Sequence, residues 1–149
     1  MPVWSSRIVR VGGRGYTEGK LYEDTYFDRN VQGALDAGLA VGAYFFSQAI
    51  TVEEALEEAR FVLERVRDYD LTMPVVFDWE MVSDSSARTN AIDSDTMNEV
   101  ALAFCGAIQE AGYESMIYFN SYQGYVKYDL SKLLDHSFWF AQYQAQPSF

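Results

Sequence analysis

Two acidic residues, Asp78 and Glu80, close an apolar segment, 73–77, that predicts a buried β-strand. Side chains alternate between the two faces of a strand, so both carboxyls point to one side while Val75, Phe77 and Trp79 point to the other. Two acids at one buried strand end repel each other, which is unusual for plain scaffold. A paired acid and carboxylate can hydrolyse glycosidic bonds. The pattern therefore predicts a carbohydrate- or acyl-transforming site at the C-terminal end of this strand.

Five predicted strands alternate with helical patterns along the chain. The strands are expected at 7–12, 41–47, 74–80, 115–120 and 137–143. Helices are expected at 26–37, 51–66, 93–112 and, in a short fourth case, 130–135. This alternation predicts an α/β fold with a parallel sheet. An open doubly wound sheet and part of a (β/α) barrel both fit the pattern.

The other predicted strands carry further polar or aromatic side chains that could complete a ligand site. Arg10 stands between apolar residues of the first strand, Tyr44 lies in the second, and Trp139 in the fifth. Tyr118 and Asn120 share one face of the fourth strand. Such groups often meet at one end of a parallel sheet and form a binding site. The aromatic side chains could instead pack in the hydrophobic core, and Arg10 could instead neutralise a structural acid.

Composition excludes several classes of function. The net charge of −11 argues against nucleic-acid binding, because an acidic surface repels phosphates. No apolar run approaches the ~20 residues that span a bilayer, and the first residues lack the pattern of a signal peptide. Cys105 and His136 are each the single residue of their type, which rules out an internal disulfide and a His-rich metal site.

Taken in order, these segments resemble the family-25 glycoside hydrolases, the Chalaropsis-type lysozymes or N-acetylmuramidases. The resemblance runs from about residue 7 to near the end of the chain. The segments that carry it are Ile8-Val9-Arg10-Val11-Gly12, the 28–38 helix with Asn30, Val41-Gly42-Ala43-Tyr44-Phe45-Phe46, Pro74-Val75-Val76-Phe77-Asp78-Trp79-Glu80, Ile117-Tyr118-Phe119-Asn120 and Trp139-Phe140-Ala141-Gln142-Tyr143.

The resemblance implies a TIM-like (β/α) barrel, here an incomplete one of about five parallel strands with three to four helices. It also implies hydrolysis of the β-1,4 bond between N-acetylmuramic acid and N-acetylglucosamine in peptidoglycan, with no cofactor or metal, at an extracellular or wall-directed location. By motif position Glu80 would be the general acid, and Asp78 the partner that orients or stabilises the acetamide of the substrate. Tyr118 would be a site tyrosine, while Arg10, Tyr44 and Trp139 would line the sugar groove. Asn120, at the end of the Tyr118 strand, is a further candidate substrate contact.

Two acid-bearing segments of the family pattern, one before the Arg10 strand and one after Phe149, have no counterpart in the sequence. We therefore expect one catalytic domain over residues 1–149, clipped at both ends, with impaired activity. Unpaired strand edges would then favour self-association.

Two other functions remain open on the sequence. The chain could be a non-catalytic glycan-binding protein, or it could be a chitinase-like hydrolase, because Asp-Trp-Glu also ends that signature. Pro74 and Val76 occupy positions where the chitinase pattern has acids. The spacing of residues i and i+2, ~6.6–6.8 Å along a strand, leaves retaining and inverting hydrolysis both open.

Overall fold

The structure is a computed structural model that describes residues 5–143. These residues form six β-strands, four α-helices and one turn of 3₁₀ helix. In chain order the elements are β1 (Ser6–Arg14), β2 (Leu21–Glu23), α1 (Phe27–Asp36), β3 (Ala40–Ser47), α2 (Val52–Val66), β4 (Val75–Trp79), α3 (Ser94–Glu110), β5 (Ser115–Asn120), α4 (Ser121–Val126), the 3₁₀ turn (Leu130–Lys132) and β6 (Ser137–Ala141).

The strands build one sheet in the order β2-β1-β3-β4-β5-β6. Five of them, β1, β3, β4, β5 and β6, run parallel, which confirms the predicted α/β fold and its five parallel strands. The short β2 was not predicted. It pairs antiparallel with the end of β1 through a hairpin closed by Gly19, whose φ of 70° suits glycine. Three residues are too few to show an alternating pattern, which is why the sequence does not reveal β2.

The predicted helix at 130–135 is wrong in extent, because only the 3₁₀ turn at Leu130–Lys132 forms there. The fourth α-helix lies earlier, directly after β5. Asn120 and Gln123 begin it with a capping box, in which each side chain bonds to the backbone of the other residue. This six-residue helix shows no apolar repeat, so periodicity could not predict it.

One face of the sheet packs against the helices and holds the main core. Val75, Phe77 and Trp79 of β4 have no exposed surface, as their predicted orientation requires. Phe77 packs on Phe104 of α3, with ring centres 5.2 Å apart. Burial of each such side chain stabilises the fold by about 1.5–3 kcal/mol. Cys105 is also fully buried in α3, in agreement with a structural role.

The other face of the sheet carries the residues that could do chemistry. The registers of the parallel strands place Gly13, Phe46, Asp78, Tyr118 and Trp139 in one row across five strands. A register shift in β1 between Arg10 and Gly12 brings Gly13 into this row.

The sheet curls like part of a barrel. Both β1, through Ser6 and Ile8, and β6, through Phe138, line the same cavity of about 340 Å³, although three strands separate them in the sheet. Within residues 5–143 no ladder joins β6 back to β1 or β2, so this part of the chain forms an open, incomplete barrel. Over the same residues, no helix has the length and apolarity to cross a membrane.

We expect Gly12→Ala to destabilise the β1–β2 hairpin. A Cβ at this position would lie 2.1 Å from the carbonyl oxygen of Tyr22, a backbone atom that cannot rotate away. Overpacking of this kind lowers the free energy of unfolding by about 1–3 kcal/mol. The matched control is Gly33→Ala in α1, where no atom lies within 4 Å of the added Cβ; it should raise stability by about 0.5–1 kcal/mol. Equal urea midpoints for the two variants would contradict this packing.

Candidate active site

Asp78 and Glu80 face one cleft at the C-terminal end of β4. Asp78 lies within the strand and is 8% exposed, whereas Glu80 follows the strand and is partly exposed. The cleft has a volume of about 240 Å³. Its lining residues are Tyr44, Val76, Asp78, Glu80, Tyr118, Trp139 and Tyr143. The structure thus brings together five of the seven predicted site residues.

The two carboxyls influence each other strongly. Burial raises the pKa of Asp78 to about 8, and the charge of Glu80 and a side-chain hydrogen bond to it act in the same direction. The Oδ1 atom of Asp78 is buried without any hydrogen-bond partner among the described residues. The pair therefore keeps one proton at neutral pH. Because the groups interact, this proton belongs to the pair rather than to one residue.

Arg10 lies beside the cleft rather than in its lining. Its guanidinium donates a hydrogen bond to the hydroxyl of Tyr22 and sits 5.6 Å from the Tyr22 ring centre and 5.7 Å from that of Phe46. Cation–π contacts of this kind hold the charge in place. Its positive charge partly offsets the rise in the pKa of Asp78. In this position Arg10 is a fixed cation next to the acid pair, and its contact with a substrate stays a prediction.

Aromatic rings form the walls of the cleft. Tyr118 and Trp139 meet edge to face, with ring centres 5.4 Å apart. Burial raises the pKa of Tyr118, and a hydrogen bond to Tyr143 and the charge of Glu80 add to the effect. On the opposite wall, burial raises the pKa of Tyr44 against the charge of Arg10. Both tyrosines therefore stay protonated and can donate hydrogen bonds at neutral pH.

Trp139 and Tyr143 are the exposed part of this wall, at 41% and 92% of their surface. Exposed rings beside an acid pair offer flat surfaces on which sugar rings can stack. Sequence reasoning did not select Tyr143 as a site residue. Its signals in the sequence are its place on the same face as Trp139 in the predicted 137–143 strand and its place in the last segment of the family resemblance, and it lies beyond the end of β6.

Asn120 is not among the residues that line the cleft. Its side chain accepts a hydrogen bond from the Gln123 backbone at 3.0 Å and so begins α4. This capping contact accounts for a polar residue at the end of β5, and the role of Asn120 as a sugar contact stays a prediction. Within residues 5–143, no group of three or more histidine, cysteine or acidic side chains is placed to hold a metal ion.

The raised pKa of Asp78 predicts a pH-dependent stability. Folding takes up a proton between the unfolded pKa of about 3.9 and the folded value of about 8, so the contribution of this group falls as pH rises through that range. Asp78→Asn removes the titration. We expect the variant to gain stability over the wild type as pH rises, by a few kcal/mol at most, because one pKa unit is worth about 1.4 kcal/mol.

Urea unfolding of both proteins at a series of pH values measures this difference. Asp135→Asn, at an exposed position, is the matched control and should show no such trend. A difference between Asp78→Asn and wild type that stays constant with pH would contradict a shared proton.

Comparison with known proteins gives a consistent picture. The profile of glycosyl hydrolases family 25 matches residues 14–149. No curated protein sequence matches the chain. The modular autolysin LytC from Streptococcus pneumoniae is similar in structure with a TM-score of 0.77 and 24% sequence identity, over 93% of this chain and 32% of LytC.

Two fungal structures are similar over a larger share of their length. A family GH25 lysozyme from Aspergillus fumigatus gives a TM-score of 0.74 at 22% identity, over 97% of this chain and 68% of the lysozyme. A muramidase from Acremonium alcalophilum gives 0.76 at 17% identity, over 95% and 68%. At these identities the likeness shows a common barrel-like fold, and the profile match over most of the chain shows its family. The chain belongs to glycosyl hydrolases family 25.

Proposed function

We propose that this chain carries the acid pair of a lysozyme-type hydrolase that cleaves the β-1,4 bond between N-acetylmuramic acid and N-acetylglucosamine in peptidoglycan. The observation that carries the proposal is that two carboxyls, Asp78 and Glu80, line one aromatic cleft, where burial and the charge of Glu80 raise the pKa of Asp78. Membership of family 25 supports the reaction class. The similar structures, an autolysin, a lysozyme and a muramidase, support the substrate class.

In the proposed reaction the shared proton moves to the leaving group. When it resides on Glu80, the more exposed member, Glu80 can protonate the glycosidic oxygen as the C1–O bond breaks. Asp78 is then ionised and can orient and stabilise the acetamide of the substrate, whose oxygen would bond to C1. Water later attacks C1 and gives one proton to the Glu80 carboxylate, while the bond from C1 to the acetamide oxygen breaks and the acetamide is restored. A low-polarity, partly buried site strengthens the charge interactions that these steps need.

The walls of the cleft suggest how the glycan would be held. Trp139 and Tyr143 would stack on the faces of sugar rings, while the hydroxyls of Tyr44 and Tyr118 would donate hydrogen bonds. Arg10 and Asn120 lie outside the lining of the cleft, and their contacts with the sugar stay predictions. A polymer in the wall as substrate would place the protein at an extracellular or wall-directed location.

Glu80→Gln should abolish the release of reducing ends from peptidoglycan. The amide keeps the size of the side chain but cannot give up a proton, and general acid catalysis contributes about 10²–10⁴-fold. Glu114→Gln is the matched control, because Glu114 is an exposed acid that precedes β5 at the other end of the sheet. Retained turnover in Glu80→Gln would remove Glu80 from the acid role.

The same assay separates the competing functions. Release of reducing ends from peptidoglycan but not from chitin supports the proposed substrate, and the reverse result indicates a chitinase-like hydrolase. Binding of peptidoglycan fragments without any turnover by the unaltered chain would indicate a glycan-binding protein. The assay should use the full 149-residue chain.

We also propose that the chain self-associates through the edges of its sheet. Within residues 5–143 the sheet begins at β2 and ends at β6 and does not close on itself. Open sheet edges favour pairing between copies. The net charge of −11 opposes association, and salt screens that repulsion.

Sedimentation velocity should therefore show an assembled fraction that grows with protein concentration and with salt. Ser137→Lys, which places a charge on the exposed start of β6, should reduce this fraction. A monomer at all concentrations and at high salt would contradict edge pairing.

A further inference from the structure

The main chain of Glu80 is held from inside the protein by the side chain of Gln48. Gln48 has no exposed surface. Its Nε2 donates a hydrogen bond to the Glu80 carbonyl at 2.7 Å and another to the Ser47 carbonyl at 2.9 Å. Its Oε1 accepts a hydrogen bond from the Thr89 hydroxyl at 3.3 Å. All of its amide is thus used in bonds within the protein, which is what a buried amide requires.

The contact between Gln48 and Glu80 lies directly after the last paired residues of the sheet. The last paired residues of β3 and β4 are Ser47 and Trp79. Gln48 and Glu80 are the next residue on each strand, and a side chain joins them in place of the ladder. Glu80 therefore lies beyond the backbone pairing that holds Asp78. The hydrogen bond from the Gln48 amide connects Glu80 to the end of the sheet.

Gln48 is itself anchored by the residue before it. The Ser47 hydroxyl donates to Glu58 at 2.6 Å, and Glu58 in turn accepts a hydrogen bond from Arg14 at 2.8 Å. Glu58 has no exposed surface and Arg14 has 3%. Loss of either partner would leave the other charge buried and unpaired, so the pair resists movement of the end of β3.

A second anchor holds the loop that follows Glu80. Arg88 donates to both carboxylate oxygens of Glu54, at 2.7 and 2.9 Å, and also to the Gln48 carbonyl at 3.2 Å. Two parallel bonds between a guanidinium and a carboxylate fix direction as well as distance. Thr89, the partner of the Gln48 amide, is the next residue along.

We propose that Gln48, together with Thr89, is a positioning residue that holds Glu80 against Asp78 at the cleft. The inference rests on the proposed function for its effect on turnover, but its structural part does not. Without the Nε2 donor, the Glu80 carbonyl loses its hydrogen bond to the end of β3, and Glu80 can move relative to Asp78. A misplacement of about 1 Å can cost about 10²-fold in rate.

The titration of Asp78 reports on this placement without any substrate. The charge and the hydrogen bond of Glu80 contribute to the raised pKa of Asp78. The other titratable groups that interact with Asp78 are Arg10, Tyr44, Tyr118 and Tyr128. They lie outside the segment that Gln48 holds. When Glu80 moves away, the pKa of Asp78 should fall while these neighbours stay in place.

The test compares Gln48→Met with Gln109→Met in the full chain. Gln109 donates a single amide hydrogen bond, to the Ser115 hydroxyl at 3.0 Å, at the opposite end of the sheet. Carboxyl carbon NMR measures the titration midpoint of Asp78, and initial rates on peptidoglycan give kcat and KM. We expect Gln48→Met to lower the midpoint and to reduce kcat by about 10–100-fold with KM within about twofold. Gln109→Met should change neither.

Thr89→Val provides a gentler change, because it removes only the hydroxyl that orients the Gln48 amide. It should lower the titration midpoint of Asp78 and kcat, each by less than Gln48→Met does. If Gln48→Met does not fold, Thr89→Val is the variant that tests the role of Gln48. The proposal is overturned if Gln48→Met folds and keeps the wild-type midpoint and kcat. If only Thr89→Val folds, an unchanged midpoint in that variant overturns it. If the wild type shows no turnover, the proposed function fails, and the midpoint alone decides the role of Gln48.

Discussion

The chemistry proposed for this protein depends on the interaction of two carboxyl groups that lie together at the end of a buried strand. Burial and the charge of Glu80 both raise the pKa of Asp78, so Asp78 retains a proton at neutral pH. A fixed cation, Arg10, limits this effect from β1. The raised pKa depends on the contact between the two carboxyls, so the rest of the fold must keep the two groups from moving apart.

The sheet provides that restraint through its two faces. The helix-facing side chains of β4 are completely buried, which fixes the strand and so directs Asp78 into the cleft. Buried polar contacts at the end of β3 extend the same control to Glu80, one residue past the end of β4. The Arg14–Glu58 pair secures this strand end against α2. Burial of side chains on the helix-facing side of the sheet therefore fixes the positions of the two acids on the other side.

Sequence patterns predicted the parts of the fold that depend on local repetition. The five parallel strands, the three long helices and the common face of the two acids follow from alternation and helical periodicity. Patterns failed where elements are short. The three residues of β2 and the capped turn and a half of α4 carry no repeat, so the patterns predict neither element.

The sequence by itself determined which residues alternate and which side of β4 is acidic, since these properties depend only on near neighbours along the chain. Only the tertiary structure decided that Asp78, Tyr118 and Trp139 share one row, that Tyr143 joins their cleft, and that Gln48 reaches Glu80. Strand register and loop contacts link residues that are far apart in the chain. They depend on the packing of all elements together, which no local pattern contains.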